Sequence, residues 1–266
     1  ARGEEEGEKA AAGPKFRPRV TKDWFLEIHK RTAFWPARDC AKAACPLVIH
    51  LHGFSDHATS WGYPQLMTSN TSTCAKELGA ILLAPDIPIM EFLMTSASPM
   101  GVVDEVRRVV LPLIESFIAD HRGLIDPRRV SIGGVSMGGH LALILGLLRP
   151  DLFSMIVATD CYLRPSVAWA EHAIRSWSNL SAPVRLSNVV VAYGSLDELR
   201  TFSYQLDSLS TLSTFGAFAK HVRFQLRIYE GRTHGTWNTV FLQWQDLYDV
   251  MFAQEVPLVE GPVTSV

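Results

Sequence analysis

Short apolar runs bounded by glycine and proline recur along this chain, with helical segments between them. Pro46-Leu-Val-Ile-His-Leu-His52 ends at Gly53 and is apolar along most of its length. Such a run suits a strand buried on both faces, as in parallel sheets. Ala80 to Ala84 before Pro85, Arg129 to Gly133, Met155 to Ala158 and Val189 to Tyr193 share that character. His221 to Tyr229 reads as a further strand. Helical patterns lie between: 71–78 closed by Gly79, an amphipathic stretch over 102–121 ending at Gly123, and an apolar one from Met137 to Leu148 stopped by Pro150. Further helices are expected over 167–177, 203–219 and 237–253. Nearer the start, Trp24, Leu26 and Ile28 follow a period of two, and Thr32 to Trp35 forms a short strand before Pro36. Strand and helix alternate at least five times. That order demands an α/β fold: a mostly parallel central sheet with helices on both faces and right-handed crossovers.

Residues 1–19, ARGEEEGEKAAAGPKFRPR, lack apolar periodicity and read as a flexible charged tail or linker. Residues 20–256 hold no internal linker, so one catalytic-sized domain is expected there, with a short tail over 257–266. A chain of 266 residues buries roughly 70–75% of its unfolded surface. The chain opens at Ala1 rather than methionine, which anticipates processing or attachment to a longer chain through the N-terminal tail. No compartment follows from this. With 25 basic and 27 acidic residues the net charge is -2, so no whole-chain basic field exists for nucleic acid. The longest apolar run, Leu141 to Leu148, is too short for a transmembrane helix. Cys40, Cys45, Cys74 and Cys161 are too few and scattered for a disulfide scaffold or a zinc site. A Cys40–Cys45 bridge and four free thiols both stay open.

In sheets of this kind ligands bind beyond the carboxyl ends of the strands. Gly134-Val135-Ser136-Met137-Gly138 stands at such an end, between a predicted strand and a predicted helix, and fits G-x-S-x-G. In that turn the glycines make room while a strained backbone lifts the serine above the sheet. The next amide, of Met137, faces the developing oxyanion, and a second amide is needed from another loop. His52-Gly53-Phe54 ends an earlier strand, which makes Phe54 the candidate donor. His50 and His52 read as structural. A serine nucleophile needs a general base, and the base an orienting acid, in the chain order Ser, Asp or Glu, His. Asp197 follows the strand at Val189 to Tyr193, with Glu198 and Asp160 as rivals. His234 lies in the loop after the last strand, between Gly231 and Gly235, with His221 and His172 as rivals. His221 would open the last strand, at the wrong end of the sheet. Met90, Trp169 and Trp237 are candidates for an apolar, aromatic-walled pocket, against the alternative that such residues simply fill the core.

With Pro46 to Gly53, Asp126-Pro-Arg-Arg-Val-Ser-Ile-Gly-Gly-Val-Ser-Met-Gly-Gly139, Arg149-Pro-Asp-Leu-Phe153, Gly194-Ser-Leu-Asp197 and His234-Gly-Thr-Trp237 in that order, the chain resembles the α/β-hydrolase superfamily. It is most similar to the esterase branch of feruloyl and acetylxylan esterases, polyhydroxybutyrate depolymerases and the carboxylesterases termed predicted peptidases. The stretch Leu51-His-Gly-Phe-Ser-Asp56 is also similar to acyl-protein thioesterases, but residues 60–100 depart from their pattern. The resemblance implies a cofactor-free, metal-free serine hydrolase working through an acyl-enzyme on small or medium acyl or aryl esters. Catalytic roles would fall to Ser136, Asp197 and His234. Two other functions stay in view: a thioesterase or serine peptidase, and a non-catalytic binding module of the same fold.

Overall fold

The computed structural model describes residues 27–29, 32–35, 40, 43–54, 79–87, 104, 106–161, 167–198, 214, 216–236, 239–241, 247 and 251. Eight strands form one sheet: β1 (Glu27–His29), β2 (Thr32–Trp35), β3 (Cys45–Leu51), β4 (Ile81–Pro85), β5 (Ile125–Val135), β6 (Met155–Thr159), β7 (Asn188–Gly194) and β8 (Arg223–Tyr229). Their spatial order is β1-β2-β4-β3-β5-β6-β7-β8. The first two pairings are antiparallel and the six strands from β4 to β8 run parallel. The described helices are α1 (Leu111–Asp120), α2 (Met137–Leu148), α3 (Val167–Arg175) and α4 (Gly216–His221). This is the α/β sheet that the alternating pattern demands.

Burial follows the composition of each run. Every residue of β3, β6 and β7 is buried, as their unbroken apolar character requires. In β8, the last strand in the sheet's order, every residue is only half-buried. Helix α2 is apolar all round, and ten of its twelve residues are buried. Trp177 is buried in the same core and donates its indole N–H to the carbonyl of Leu147 at 2.8 Å.

Several boundaries differ from the expected ones for physical reasons. The expected helix over 102–121 is a π-helical turn, Val106–Val110, followed by α1. Pro112 has no N–H to donate to the carbonyl of Arg108, so the regular ladder cannot pass this point. The 167–177 helix stops at Arg175 and continues as a tighter turn over Ser176–Asn179. His221 ends helix α4 instead of opening the last strand; the N–H of Val222 still bonds back to the carbonyl of Phe218 at 2.8 Å. Strand β5 begins at Ile125, earlier than the apolar run suggests. There Asp126 accepts bonds from the N–H and guanidinium of Arg128 and from the guanidinium of Arg129. Burial opposes its ionisation, but these bonds prevail and hold its carboxyl down to about 2. The β3–β5 register jumps from Cys45↔Ile125 to Leu47↔Val130. The extra β5 residues include Pro127, which cannot donate to a ladder. The tails, the 71–78 helix and most of the 203–219 and 237–253 helices lie outside the described residues, as do Trp24 and Leu26.

Register aligns the carboxyl ends of the central strands. Leu51 pairs with Gly134, Val135 with Thr159, Thr159 with Ala192, and Gly194 with Tyr229. The sheet's order also reverses between β3 and β5: β4 lies to one side of β3 and all later strands to the other. A topological switch point of this kind leaves a crevice at the strand ends.

Cys40 and Cys45 are joined by a disulfide, with Cα atoms 5.2 Å apart, and both are buried. Cys161 is a buried free thiol. Closing so short a loop is worth about 2 kcal/mol by chain entropy. Reduction, or Cys40→Ala with Cys45→Ala, is expected to lower the stability measured by urea unfolding by about that amount. An unchanged midpoint under reductant would show that the bridge does not constrain the unfolded chain.

Candidate active site

The turn between β5 and α2 is built from strain and from close backbone contact. Ser136 has φ 55° and ψ −117°, a conformation that L-residues avoid and that costs about 1–3 kcal/mol. Its N–H donates to the carbonyl of Thr159 at 2.8 Å, and its carbonyl accepts the first bond of α2, from His140 at 3.1 Å. Its hydroxyl makes no capping bond to the helix, so it is not committed to that role. The flanking glycines are required sterically. A β-carbon at position 134 would lie 2.5 Å from the backbone of Gly138, and one at 138 would lie 2.1 Å from the carbonyl oxygen of Leu51. The serine turn therefore rests directly on the end of β3. Met137, as the first residue of α2, has an N–H with no acceptor inside the helix.

The end of β3 carries His50, His52, Gly53 and Phe54. His52 is buried and its Nε2 accepts the N–H of Ile87 at 2.9 Å. That requires the proton on Nδ1, which donates to the carbonyl of Gly53 at 2.9 Å. The imidazole thus clamps the loop bearing Phe54 to the end of β4. His50 packs edge-on against Phe241, with ring centroids 4.7 Å apart. Burial, and secondarily the neighbouring His52, push its pKa down to about 3. Both imidazoles are thus held by contacts within the fold, His50 in β3 and His52 just past its end. Phe54 and Leu196 are exposed large apolar side chains, 50% and 60% accessible, and both stand at strand ends on this edge.

Asp197 and His234 meet. Nδ1 of His234 donates to Oδ2 of Asp197 at 2.9 Å, with the aspartate buried and the histidine partly open. Their loops are sewn together by backbone. Leu196 donates its N–H to the carbonyl of Arg232 at 2.9 Å, Ser195 donates to Tyr229 at 3.0 Å, and Gly231 donates to Oγ of Ser195 at 2.9 Å. Gly194 makes this approach feasible, since a β-carbon there would lie 2.1 Å from the carbonyl oxygen of Arg232 and 2.5 Å from that of Thr233.

Of the rivals, Glu198 and His172 are exposed, and His221 lies at the opposite end of β8. Asp160 does join it: oxygen or nitrogen atoms of Asp160, Asp197 and His234 all lie within 4.8 Å of one another. Two carboxylates and an imidazole could in principle ligate a cation. Here one Asp197 oxygen serves His234 and one Asp160 oxygen accepts the hydroxyl of Thr236 at 2.6 Å. Thr236 is a residue that sequence reasoning passed over. Its only signal was a hydroxyl two positions beyond the candidate base. Met90 and Trp237 lie outside the described residues; Trp169 lies in α3, with its side chain outside them.

The loop contact at Gly194 can be tested directly. Gly194→Ala is expected to lower the stability to urea by about 1–3 kcal/mol through overpacking. It should also remove the downfield imidazole N–H signal of His234 in proton NMR spectra. A wild-type midpoint with that signal intact would show that the two loops do not depend on this contact.

A family model described as esterase matches residues 104–244, more than half of the chain. Poly(3-hydroxybutyrate) depolymerase of Ralstonia pickettii is 29% identical over 138 residues, 46% of this chain and 27% of the relative. The match thus spans about a quarter of that enzyme's length. An S-formylglutathione hydrolase from Agrobacterium tumefaciens superposes with a TM-score of 0.60 at 17% identity, covering 85% of this chain and 92% of the other. Est1E from Butyrivibrio proteoclasticus gives a TM-score of 0.54 at 13% identity, covering 85% and 97%. At these identities the superpositions speak for the fold. By its sequence match and its sheet, the chain belongs to the esterase family and has the α/β-hydrolase fold.

Proposed function

We propose that this protein is a serine carboxylic ester hydrolase, with Ser136 as nucleophile, His234 as general base and Asp197 as orienting acid. The observation that carries the reading is the 2.9 Å bond between Nδ1 of His234 and Oδ2 of Asp197. It holds the imidazole in the tautomer whose Nε2 is free to take a proton. Ser136 stands at the N-cap of α2 with its hydroxyl not used as a cap. Its turn bonds to Thr159, the residue preceding Asp160 in the cluster around His234.

In the proposed cycle, Nε2 of His234 takes the proton of the Ser136 hydroxyl as Oγ attacks the ester carbonyl. The resulting oxyanion accepts bonds from the amides of Met137 and Phe54. One such donor is worth about 3–4 kcal/mol in related chemistry. The tetrahedral centre then expels the alcohol, which leaves with the proton from His234. Water attacks the acyl-Ser136 by the same route, releasing the acid and restoring the serine hydroxyl. The buried carboxylate of Asp197 stabilises the imidazolium at each step.

Small or medium acyl and aryl esters are the proposed substrates. The match to an enzyme named for poly(3-hydroxybutyrate) supports a short acyl chain, and exposed Phe54 and Leu196 offer apolar surface at the strand ends. Hydrolysis of p-nitrophenyl acetate, butyrate and octanoate by wild type and Ser136→Ala tests the reading. Wild-type turnover is expected to be highest on the shorter esters and to fall by about 10⁴-fold or more in the variant. Equal turnover by both proteins would remove Ser136 from the mechanism. Failure of the wild type on every ester, together with no labelling by a fluorophosphonate, would favour a binding module.

A further inference from the structure

A second carboxylate beside the proposed triad has no part in that cycle. Asp160 follows β6, is fully buried, and has φ 48°, so its backbone is held in a left-handed conformation unfavourable for a residue with a side chain. Its N–H bonds to the carbonyl of Ala192 at 2.8 Å, which fixes it against the end of β7. From there Oδ1 reaches Oγ1 of Thr236 at 2.6 Å, and Thr236 is itself fully buried. Thr236 lies two residues after His234. Two residues before His234, the carbonyl of Arg232 is held by the N–H of Leu196. The loop carrying the base is therefore pinned on both sides, once by β7's loop and once by Asp160. Carboxylates also approach the imidazole from two elements, Asp197 from the β7 loop and Asp160 from the end of β6.

We propose that Asp160 is a positioning residue for His234: its side chain anchors the base-bearing loop through Thr236. This rests on the reading of Ser136, Asp197 and His234 as the triad. Asp197 orients the ring through Nδ1, while Asp160 holds the backbone that carries it.

The test uses the rate of covalent labelling by a fluorophosphonate, which needs no knowledge of the natural ester. Wild type, Asp160→Asn, Thr236→Val, Thr236→Ser and Ser136→Ala are compared from pH 5 to 9, with limiting rate and half-saturating probe concentration separated. Asp160→Asn keeps an oxygen that can accept the Thr236 hydroxyl and should keep most of the wild-type rate. In Thr236→Val the limiting rate should fall by about 10-fold or more, with half-saturation unchanged, because a displaced base loses rate without losing binding. Thr236→Ser, which keeps the hydroxyl, should recover most of that rate. Wild-type labelling by Thr236→Val overturns the proposal, and so does labelling by Thr236→Ser or Asp160→Asn that is as slow as that of Thr236→Val. If Asp160→Asn does not fold, the two Thr236 variants decide. Ser136→Ala separates the two readings: unlabelled, it leaves the triad standing whatever Asp160 does; labelled at the wild-type rate, it removes both.

Discussion

At two points on the carboxyl edge of this sheet, backbone packs against backbone with no room for a methyl group. Gly138 sits on the carbonyls of Leu51 and His52, and Gly194 sits on those of Arg232 and Thr233. The first contact joins the serine turn to the loop bearing Phe54. The second joins the loop of Asp197 to the loop of His234. The candidate site depends on such approaches because its residues come from the ends of five strands, β3, β5, β6, β7 and β8.

The site also concentrates strain. Among the described residues, Ser136 and Asp160 are the non-glycine positions with positive φ, and they end the adjacent strands β5 and β6. Each conformation costs about 1–3 kcal/mol. The core beneath them is what tolerates it. Leu141, Ile144, Leu145 and Leu147 of α2 are each buried to 1% exposure or less, and burying one such side chain is worth about 1.5–3 kcal/mol. Strained turns anchored on a dry, parallel-sheet core keep their geometry without needing the loop itself to be rigid.

Much of this was legible in the sequence. The strand runs at Pro46, Ala80, Met155 and Val189 are unmistakable because parallel strands are apolar on both faces, and glycine or proline marks their ends. The serine turn was legible because its glycines are sterically obligatory. Asp197 is the acid expected from the sequence, and its loop brings it onto Nδ1 of His234; the approach of Asp160 to the same pair comes from loop geometry that sequence does not give. The Cys40–Cys45 bridge turns on a Cα separation that spacing does not give. His221 ends helix α4, which the apolar-polar alternation beginning at Val222 does not reveal. Trp177 belongs to the core, and its N–H finds the end of α2.

The central claim is that Ser136 is the atom acylated, with its proton taken by His234. The most direct measurement is tandem mass spectrometry of the protein after reaction with a fluorophosphonate, locating the adduct by peptide. The account predicts a single adduct on Ser136 in the wild type, and none in His234→Ala over the same time. An adduct on any other serine, or unaltered labelling without His234, would contradict it.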